Sequence, residues 1–303
     1  MRSAVQLQSA MPRATRAFRL VVLGALAAAA GCDVPETARG SRSLLEVWAP
    51  PTPLEAAEMA VDPWDADSRA RGTMLLANAY FGGEDVYRQL YLERAADEDP
   101  NARAAGVRGL ALHGLPEDVP LLVERLKDEN VRVRLEAARA LQRIHNPAAI
   151  DELIVHARLP VLEIPPTPTS AGAPGRPGES EPVIRAEAAH ALGQYADPRV
   201  VLPLISALDD RFLAVNRAAR HSLRVLTGQD FGLDRKAWLQ WYTGADDAFA
   251  GRTAYVYPVY SRDKFFWEYL PFVPPPPNET ASTPAGFPPA IERQDRPSGA
   301  PNG

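Results

Sequence analysis

The chain repeats itself with a step of 31 residues, and a repeat of that length limits the fold more than any other feature. Arg134-Leu-Glu-Ala-Ala-Arg-Ala-Leu141 returns as Arg185-Ala-Glu-Ala-Ala-His-Ala-Leu192, after a step of 51 that is one repeat plus 20. One step earlier stands Arg103-Ala-Ala-Gly-Val-Arg-Gly-Leu110, and one step later Asn216-Arg-Ala-Ala-Arg-His-Ser-Leu223. Arg103, Arg134 and Arg185 share a column in which Asn216 departs. Leu110, Leu141, Leu192 and Leu223 form a second column, and Gly106, Ala137, Ala188 and Ala219 a third of small residues. A unit this short cannot bury its own apolar stripe, so copies must stack into one continuous core.

The register continues past a turn. Val119, Ile150 and Val201 correspond, as do Leu122, Leu153 and Leu204, then Leu126, Ala157 and Leu208. Apolar residues at i, i+3 and i+7 mark one face of a helix. Each unit is therefore two helices joined by a turn carrying Pro116, Pro147 or Pro198. Proline suits the first turn of the second helix, where its missing N–H removes no bond. The small-residue column predicts close approach of neighbouring helices.

These residues resemble the HEAT-repeat family in its short bacterial form, whose pattern is an apolar residue, Arg, then Ala-Ala-x-Ala-Leu and often Gly. Val133-Arg134 with Ala137 to Leu141 fits it, and Ile184-Arg185 with Ala188 to Gly193 fits it best. The likeness covers about residues 68 to 226, with a degenerate first unit in which Arg69 to Leu76 keeps the Arg-to-Leu spacing. It implies an all-α, right-handed α-solenoid of about four helical hairpins. The family arginine is structural, which favours a tie between repeats over an anion-binding track in the Arg103, Arg134 and Arg185 column. A fold of this kind says little about chemistry.

Composition narrows the partners. Net charge is −5, and residues 1–31 hold four Arg and no acid, so the remainder carries −9. An acidic body argues against nucleic acid and against electrostatic adhesion to membranes. A single cysteine excludes an intramolecular disulfide framework and a Cys-based zinc cluster. The 30 prolines concentrate outside the repeat, with seven from Pro160 to Pro182 and ten from Pro271 onward, so they mark irregular segments.

The flanks read as follows. Residues 1–31 are expected to be a signal peptide, with Arg13, Arg16 and Arg19 ahead of the apolar run Leu20–Ala30. That run is too short to span a bilayer. Ala29-Ala30-Gly31-Cys32 resembles the lipobox of bacterial lipoproteins, which implies lipidation of Cys32 and export to the cell envelope as a membrane-anchored protein. The family's Leu is replaced by Ala29. Residues 32–67 are expected to be a tether and lead-in, in which Leu54–Val61 forms a short helix and Trp48 and Trp64 cover the first repeat. The repeats run 68–226, broken by a Pro-rich insert at 158–181 whose composition favours disorder. Residues 227–272 form an aromatic cap segment holding 13 of the 23 aromatic residues. In it Asp234 N-caps a helix with Trp238, Leu239 and Trp241, and Thr253–Tyr260 alternates as an extended strand does. Residues 273–303 read as a disordered Pro-rich tail.

No constellation for catalysis emerges: there is no G-x-S-x-G, no phosphate loop and no patterned nucleophile. His190 and His221 share a column continued by Arg108 and Arg139, and read as a polar ladder rather than as metal ligands. Acids such as Asp97, Asp99, Asp209 and Asp210 open the repeats and suit helix N-termini. The expectation is a lipid-anchored scaffold or adaptor for a protein partner, with no catalysis, cofactor, metal, nucleic acid or small-molecule substrate. Phe265, Phe266 and Trp267 are the candidate partner-binding residues. Two alternatives stay open: a HEAT-like lyase or chaperone-like lyase of the kind that attaches bilins, and a structural envelope protein whose tail contacts cell-wall material.

Overall fold

Polar caps mark where many of the helices begin. In the computed structural model the described residues are 51–158, 178–259, 261–270, 273, 276 and 278–288. They contain eleven α-helices: α1 Pro53–Ala60, α2 Ala66–Ala77, α3 Asp85–Arg94, α4 Pro100–His113, α5 Val119–Arg125, α6 Val131–Arg143, α7 Ile150–His156, α8 Pro182–Leu192, α9 Pro198–Ala207, α10 Leu213–Thr227 and α11 Arg235–Gly244. Asp65, Asp99, Asn130, Asp197 and Asp234 accept backbone N–H bonds at the starts of α2, α4, α6, α9 and α11. Such caps satisfy donors that have no partner within the helix.

The helices form two layers. In the first, α2, α4, α6, α8 and α10 pack side by side in chain order. In the second, α1, α3, α5, α7, α9 and α11 alternate with them, which is an α-solenoid. Leu110, Leu141, Leu192 and Leu223 are fully buried, as are Val119, Val201, Leu122, Leu153 and Leu204. The degenerate unit takes its full place, so five hairpins stack among the described residues, one more than the four that the repeat suggests most plainly. Gly72 aligns with Gly106, and each is crossed by the end of the helix before it. A Cβ on Gly106 would stand 2.2 Å from the Ala95 nitrogen, and one on Gly72 2.3 Å from the Ala60 nitrogen. The small-residue column therefore admits the second-layer helix of the preceding unit.

The arginine column is a ladder. Arg103 donates from Nη1 to the carbonyls of Asp97 and Glu98, at 3.0 and 2.8 Å, and from Nε and Nη2 to both Asp128 oxygens, at 2.9 and 3.0 Å. Arg134 does the same with the Asp128 and Glu129 carbonyls and the Glu179 carboxylate. Arg185 binds the Glu179 and Ser180 carbonyls and the Asp210 carboxylate. Arg69 opens the series on Asp97, and Asn216 closes it by donating to the carbonyls of Ala207, Leu208 and Asp210. Each acid also accepts the backbone N–H two residues on, at Asp99, Asn130, Glu181 and Phe212. Asp97 and Asp210 are thus arginine partners rather than helix-dipole acids. Asp99 is a cap, and Asp209 pairs with Arg235 at 2.8 Å.

Burial pushes the Asp97, Asp128 and Glu179 carboxyls up, but the arginine and backbone N–H bonds outweigh it and hold all three below their ordinary values. A carboxylate held lower in the folded state contributes stability that is complete above its unfolded pKa and is lost as pH falls through the folded value. The ladder is therefore intact at neutral pH and weakens below the ordinary values of 3.8 for Asp and 4.5 for Glu.

The two ends of the array are closed differently. At the start, α1 acts as a second-layer helix and buries Ala56 and Ala60, with Thr52 and Glu55 forming a capping box. Trp64 does not cover the first repeat, because it is 93% exposed; Trp48 lies outside the described residues. At the far end α11 packs on α9, and Trp238 stands four residues after its capping Asp, as Val201 does in α9. Trp238 is fully buried in one cluster with Leu223 and Leu226. Its indole donates to the Gly232 carbonyl at 3.1 Å, and Phe231 meets it edge-on at 5.0 Å.

Beyond α11 the structure departs from the sequence reading twice. Thr253 to Val259 forms no strand: its backbone donates singly, from the Thr253 N–H to Val225 and from the Tyr257 N–H to Ser282, without a ladder among the described residues. Its alternation instead buries Tyr255 and leaves Val256 exposed. The tail is also not uniformly disordered, since residues 278–288 lie against the array. Ala285 forms a parallel bridge with Ile144, Glu279 pairs with Arg108 and Arg143, and Pro284 is buried. A short 3-10 turn, Phe266–Tyr269, lies between the two segments. All these described residues belong to one compact unit, which begins at Thr52.

Two outcomes follow from the ladder. Arg185→Ala strands Asp210 in the core and is expected to cost about 3–5 kcal/mol in urea denaturation. Arg185→Lys should recover little of this, since an ammonium cannot span a carboxylate and two carbonyls together; full recovery would show that charge alone suffices. The insert reads as dispensable, but its last residues belong to the array, because Glu179 is the acid for Arg134. Deleting 164–178 should leave the thermal midpoint within a few degrees, since loop-length terms are small. Deleting 164–179 should lower it clearly, and equal midpoints for the two deletions would contradict the role given to Glu179.

Candidate functional site

Three sequence features competed as sites, and the structure separates them. The first is the arginine column. Arg103, Arg134 and Arg185 each spend their guanidinium on a carboxylate and two carbonyls of the chain itself. They tie repeat to repeat, as the structural reading expects, and the anion-binding track gains nothing.

The second is the histidine column. His190 and His221 meet edge to face at 5.4 Å on α8 and α10. Burial, then the neighbouring His221, pushes His190 down to about 4. Burial, then Arg224, also lowers His221. Both rings are therefore neutral near pH 7. Among the described residues no group of three or more His, Cys, Asp or Glu is placed to hold a metal ion. Arg108 and Arg139 continue the column as paired charges, Arg139 with Glu136 and Glu187 at 3.1 Å each.

The third is Phe265, Phe266 and Trp267, which stand on the surface. Their 3-10 turn is built by Glu268, which accepts from the Phe265 N–H at 2.7 Å and from Arg262 at 2.7 and 2.5 Å. The Arg262 bond pulls Glu268 down to about 2. Arg262 also lies 4.5 Å from the Phe265 ring centroid. Phe265 stacks on Trp267 at 4.7 Å, and Phe266 meets Trp267 edge-on at 5.0 Å. Phe266 is 82% exposed, and Tyr269 and Leu270 extend the exposed set. Asn278 pins the base of the turn, accepting from the Arg262 N–H and donating to its carbonyl, each at 3.0 Å. The result is a preorganised, exposed aromatic surface. Cys32, the expected lipidation site, lies outside the described residues.

A further site escaped the sequence reading. Where residues 249–255 and 287–288 cross the turns after α6, α8 and α10, they roof a cleft of about 520 Å³. His145, Tyr195, Leu226, Phe249, Tyr255 and Phe287 are among its walls. His145 stacks on Tyr195 at 4.9 Å, and its Nδ1 stands 3.1 Å from the Gln194 side-chain oxygen. Burial holds His145 below its ordinary value despite that contact. The Tyr195 hydroxyl donates to the Asn146 carbonyl at 3.1 Å. The Tyr255 hydroxyl is buried with no hydrogen-bond partner among the described residues, and burial raises its pKa well above the ordinary value. The only trace in the sequence was the alternation of Thr253–Tyr260, a mark of an extended segment with one buried face.

Comparison with known proteins bears on the array itself. Residues 89–161 match the family model for HEAT repeats, and residues 184–210 match that for the PBS lyase HEAT-like repeat. No curated protein matches the chain. Among solved structures, the X-ray structure of YibA from Escherichia coli is similar, with 18% identity over 63% of this chain and 67% of that one, and a TM-score of 0.41. The stretch 184–210 contains Arg185 and Asp210, the most buried rung of the ladder.

The two aromatic groups should behave oppositely on mutation. Trp238→Ala empties a core position and should destabilise the array by about 3–5 kcal/mol in thermal or urea unfolding. Phe266→Ser removes an exposed ring and should melt within about a degree or two of the wild type. A wild-type melting curve for Trp238→Ala would contradict its role as the closing residue of the array.

Proposed function

We propose that this chain, a HEAT-repeat protein, works as a lipid-anchored scaffold or adaptor that binds a protein partner at the bacterial cell envelope, without catalysis of its own. The observation that carries the reading is the surface of Phe265, Phe266, Trp267, Tyr269 and Leu270. These residues are held in a fixed turn yet exposed, while the end of the array is already closed by Trp238. Rigid exposed aromatics on a stacked scaffold suit a binding hot spot, because their area is gained with few rotors to freeze. HEAT repeats commonly mediate protein interactions, which supports the same reading.

The anchor rests on sequence. A basic segment, an 11-residue apolar run and the lone Cys32 stand in the order that lipoprotein export uses. Among the described residues no helix is long and apolar enough to cross a membrane. The lyase alternative draws only on a repeat match whose residues include ladder and core positions. The reading in which the tail reaches cell-wall material does not extend to residues 278–288, which lie on the array.

Metabolic labelling with a clickable fatty acid should mark the wild type in membranes and leave Cys32→Ala unlabelled. In pull-downs from solubilised membranes, Phe266→Ser with Trp267→Ser should lose a partner that the wild type retains. A labelled Cys32→Ala removes the anchor. Repeated recovery of the wild-type protein alone removes the scaffold.

A further inference from the structure

We infer that the edge of the array formed by α4 and the end of α6 is a binding site for an extended peptide that carries one carboxylate, which residues 278–288 of the same chain occupy in cis. This rests on the scaffold reading and gives the chemistry of one partner segment. The argument starts from charge. Arg108, on α4, and Arg143, in the last turn of α6, belong to successive hairpins, yet both close on the single carboxylate of Glu279. Arg108 Nη2 donates to it at 2.8 Å. Two planar guanidiniums converging on one carboxylate form a recognition geometry, with a directionality that a general basic surface lacks.

The backbone adds a second element. Ile144, which ends α6, has extended dihedrals of φ −128° and ψ 122°. It thus presents its flanking polar groups as a strand edge does. The Ala285 N–H donates to the Arg143 carbonyl at 2.7 Å, and the Ala285 carbonyl accepts from the His145 N–H at 2.8 Å. Pairing of this kind holds an incoming chain extended whatever its side chains. Further contacts lie beside it. Pro284 is buried, Phe287 meets the His145 ring edge-on at 5.1 Å, and Gly286, at φ +74°, passes so close to Pro116 that a Cβ would stand 2.3 Å from its ring.

The occupant is held by polar contacts, which include the Tyr257 N–H to its Ser282 carbonyl and the two bonds between Asn278 and Arg262, and it keeps most of its surface exposed. Asn278, Thr280 to Thr283, Gly286 and Pro288 are exposed, and no residue of 278–288 joins the main core cluster. Segments with few buried apolar contacts open locally while the rest of the fold persists. The two arginines, the paired backbone edge at Ile144, Pro116 and the His145 ring all belong to the array, so they would remain when the segment leaves. They fit an extended chain with a carboxylate six residues ahead of a small apolar residue, as Glu279 stands to Ala285. A tethered segment competes at a high effective concentration, so the site is closed in the resting chain and opens to a stronger or multivalent partner.

The test uses the full-length protein and a fluorescent synthetic peptide with the sequence of residues 276–288. Fluorescence anisotropy should show the peptide binding Glu279→Ala on the order of tenfold or more tightly than the wild type, whose own segment competes. Gly286→Val, which wedges the segment off Pro116 by an unrelated contact, should open the site in the same way. Adding Arg143→Ala to either variant should abolish binding, and a peptide carrying Gln in place of its Glu should bind neither. No binding to either opened variant, or binding unaffected by Arg143→Ala, overturns the inference. So does a melting point lowered by Glu279→Ala as far as by Trp238→Ala, which would make the segment part of the core. If the peptide fails while a partner is still lost with the Phe266 and Trp267 substitutions, this inference falls and the scaffold reading stands.

Discussion

The guanidinium fork is the interaction on which the rest of the molecule depends. Two stacked hairpins share an apolar interface, and apolar contact alone does not fix how far one slides over the next. The fork does. Its Nη1 reaches back to carbonyls at the turn before its own helix, and its Nε and Nη2 reach forward to the acid that opens the next unit. A buried ion pair adds little net stability over a well-packed apolar alternative, but breaking one leaves a stranded charge. The ladder therefore acts mainly as a register device. Every rung penalises a slipped stack, and the series ends where Asn216 keeps the carbonyl bonds and has no carboxylate to meet.

Much of this was legible in the sequence, since periodicity reports burial directly. The leucine and small-residue columns gave the helices, their faces and the stacking. The acid column was also written there, at Asp97, Asp128 and Asp210, six residues before the column of Arg103, Arg134 and Asn216. It was masked because its remaining member, Glu179, stands at the end of a Pro-rich insert that reads as irregular. Asp97 and Asp210 also suit a helix N-terminus, so a weaker explanation sufficed. Trp238 was readable because Asp234 announced its helix. Trp64 was not, since a tryptophan near an open end gives no sign of which side it faces.

What lies outside the repeat was harder to read for a physical reason. Residues 251–259 and 278–288 take their conformation from the surface they cross, and a segment without its own hydrogen-bond period leaves no period in the sequence. Proline-rich composition then points to disorder, although Pro284 and Glu279 dock on the array. The same crossing creates the cleft at Tyr255 and His145 and places the aromatic turn at 265–270 beside it in the chain. The sites that distinguish this molecule from a bare solenoid are therefore contributed by segments that the repeat does not encode, while the repeat supplies the rigid edge that positions them.

The claim that each rung couples one hairpin to the next is tested most directly across the insert, where sequence separation is greatest. A double-mutant cycle on Arg134 and Glu179, 45 residues apart, isolates the pair from its surroundings. With Arg134→Ala, Glu179→Ala and the double variant followed by urea denaturation, the account predicts a coupling free energy of about 1–3 kcal/mol, with the double variant losing less than the sum of the singles. Additivity within about 0.5 kcal/mol would mean that the fork does not carry the stack, and that apolar packing alone sets the register of the array.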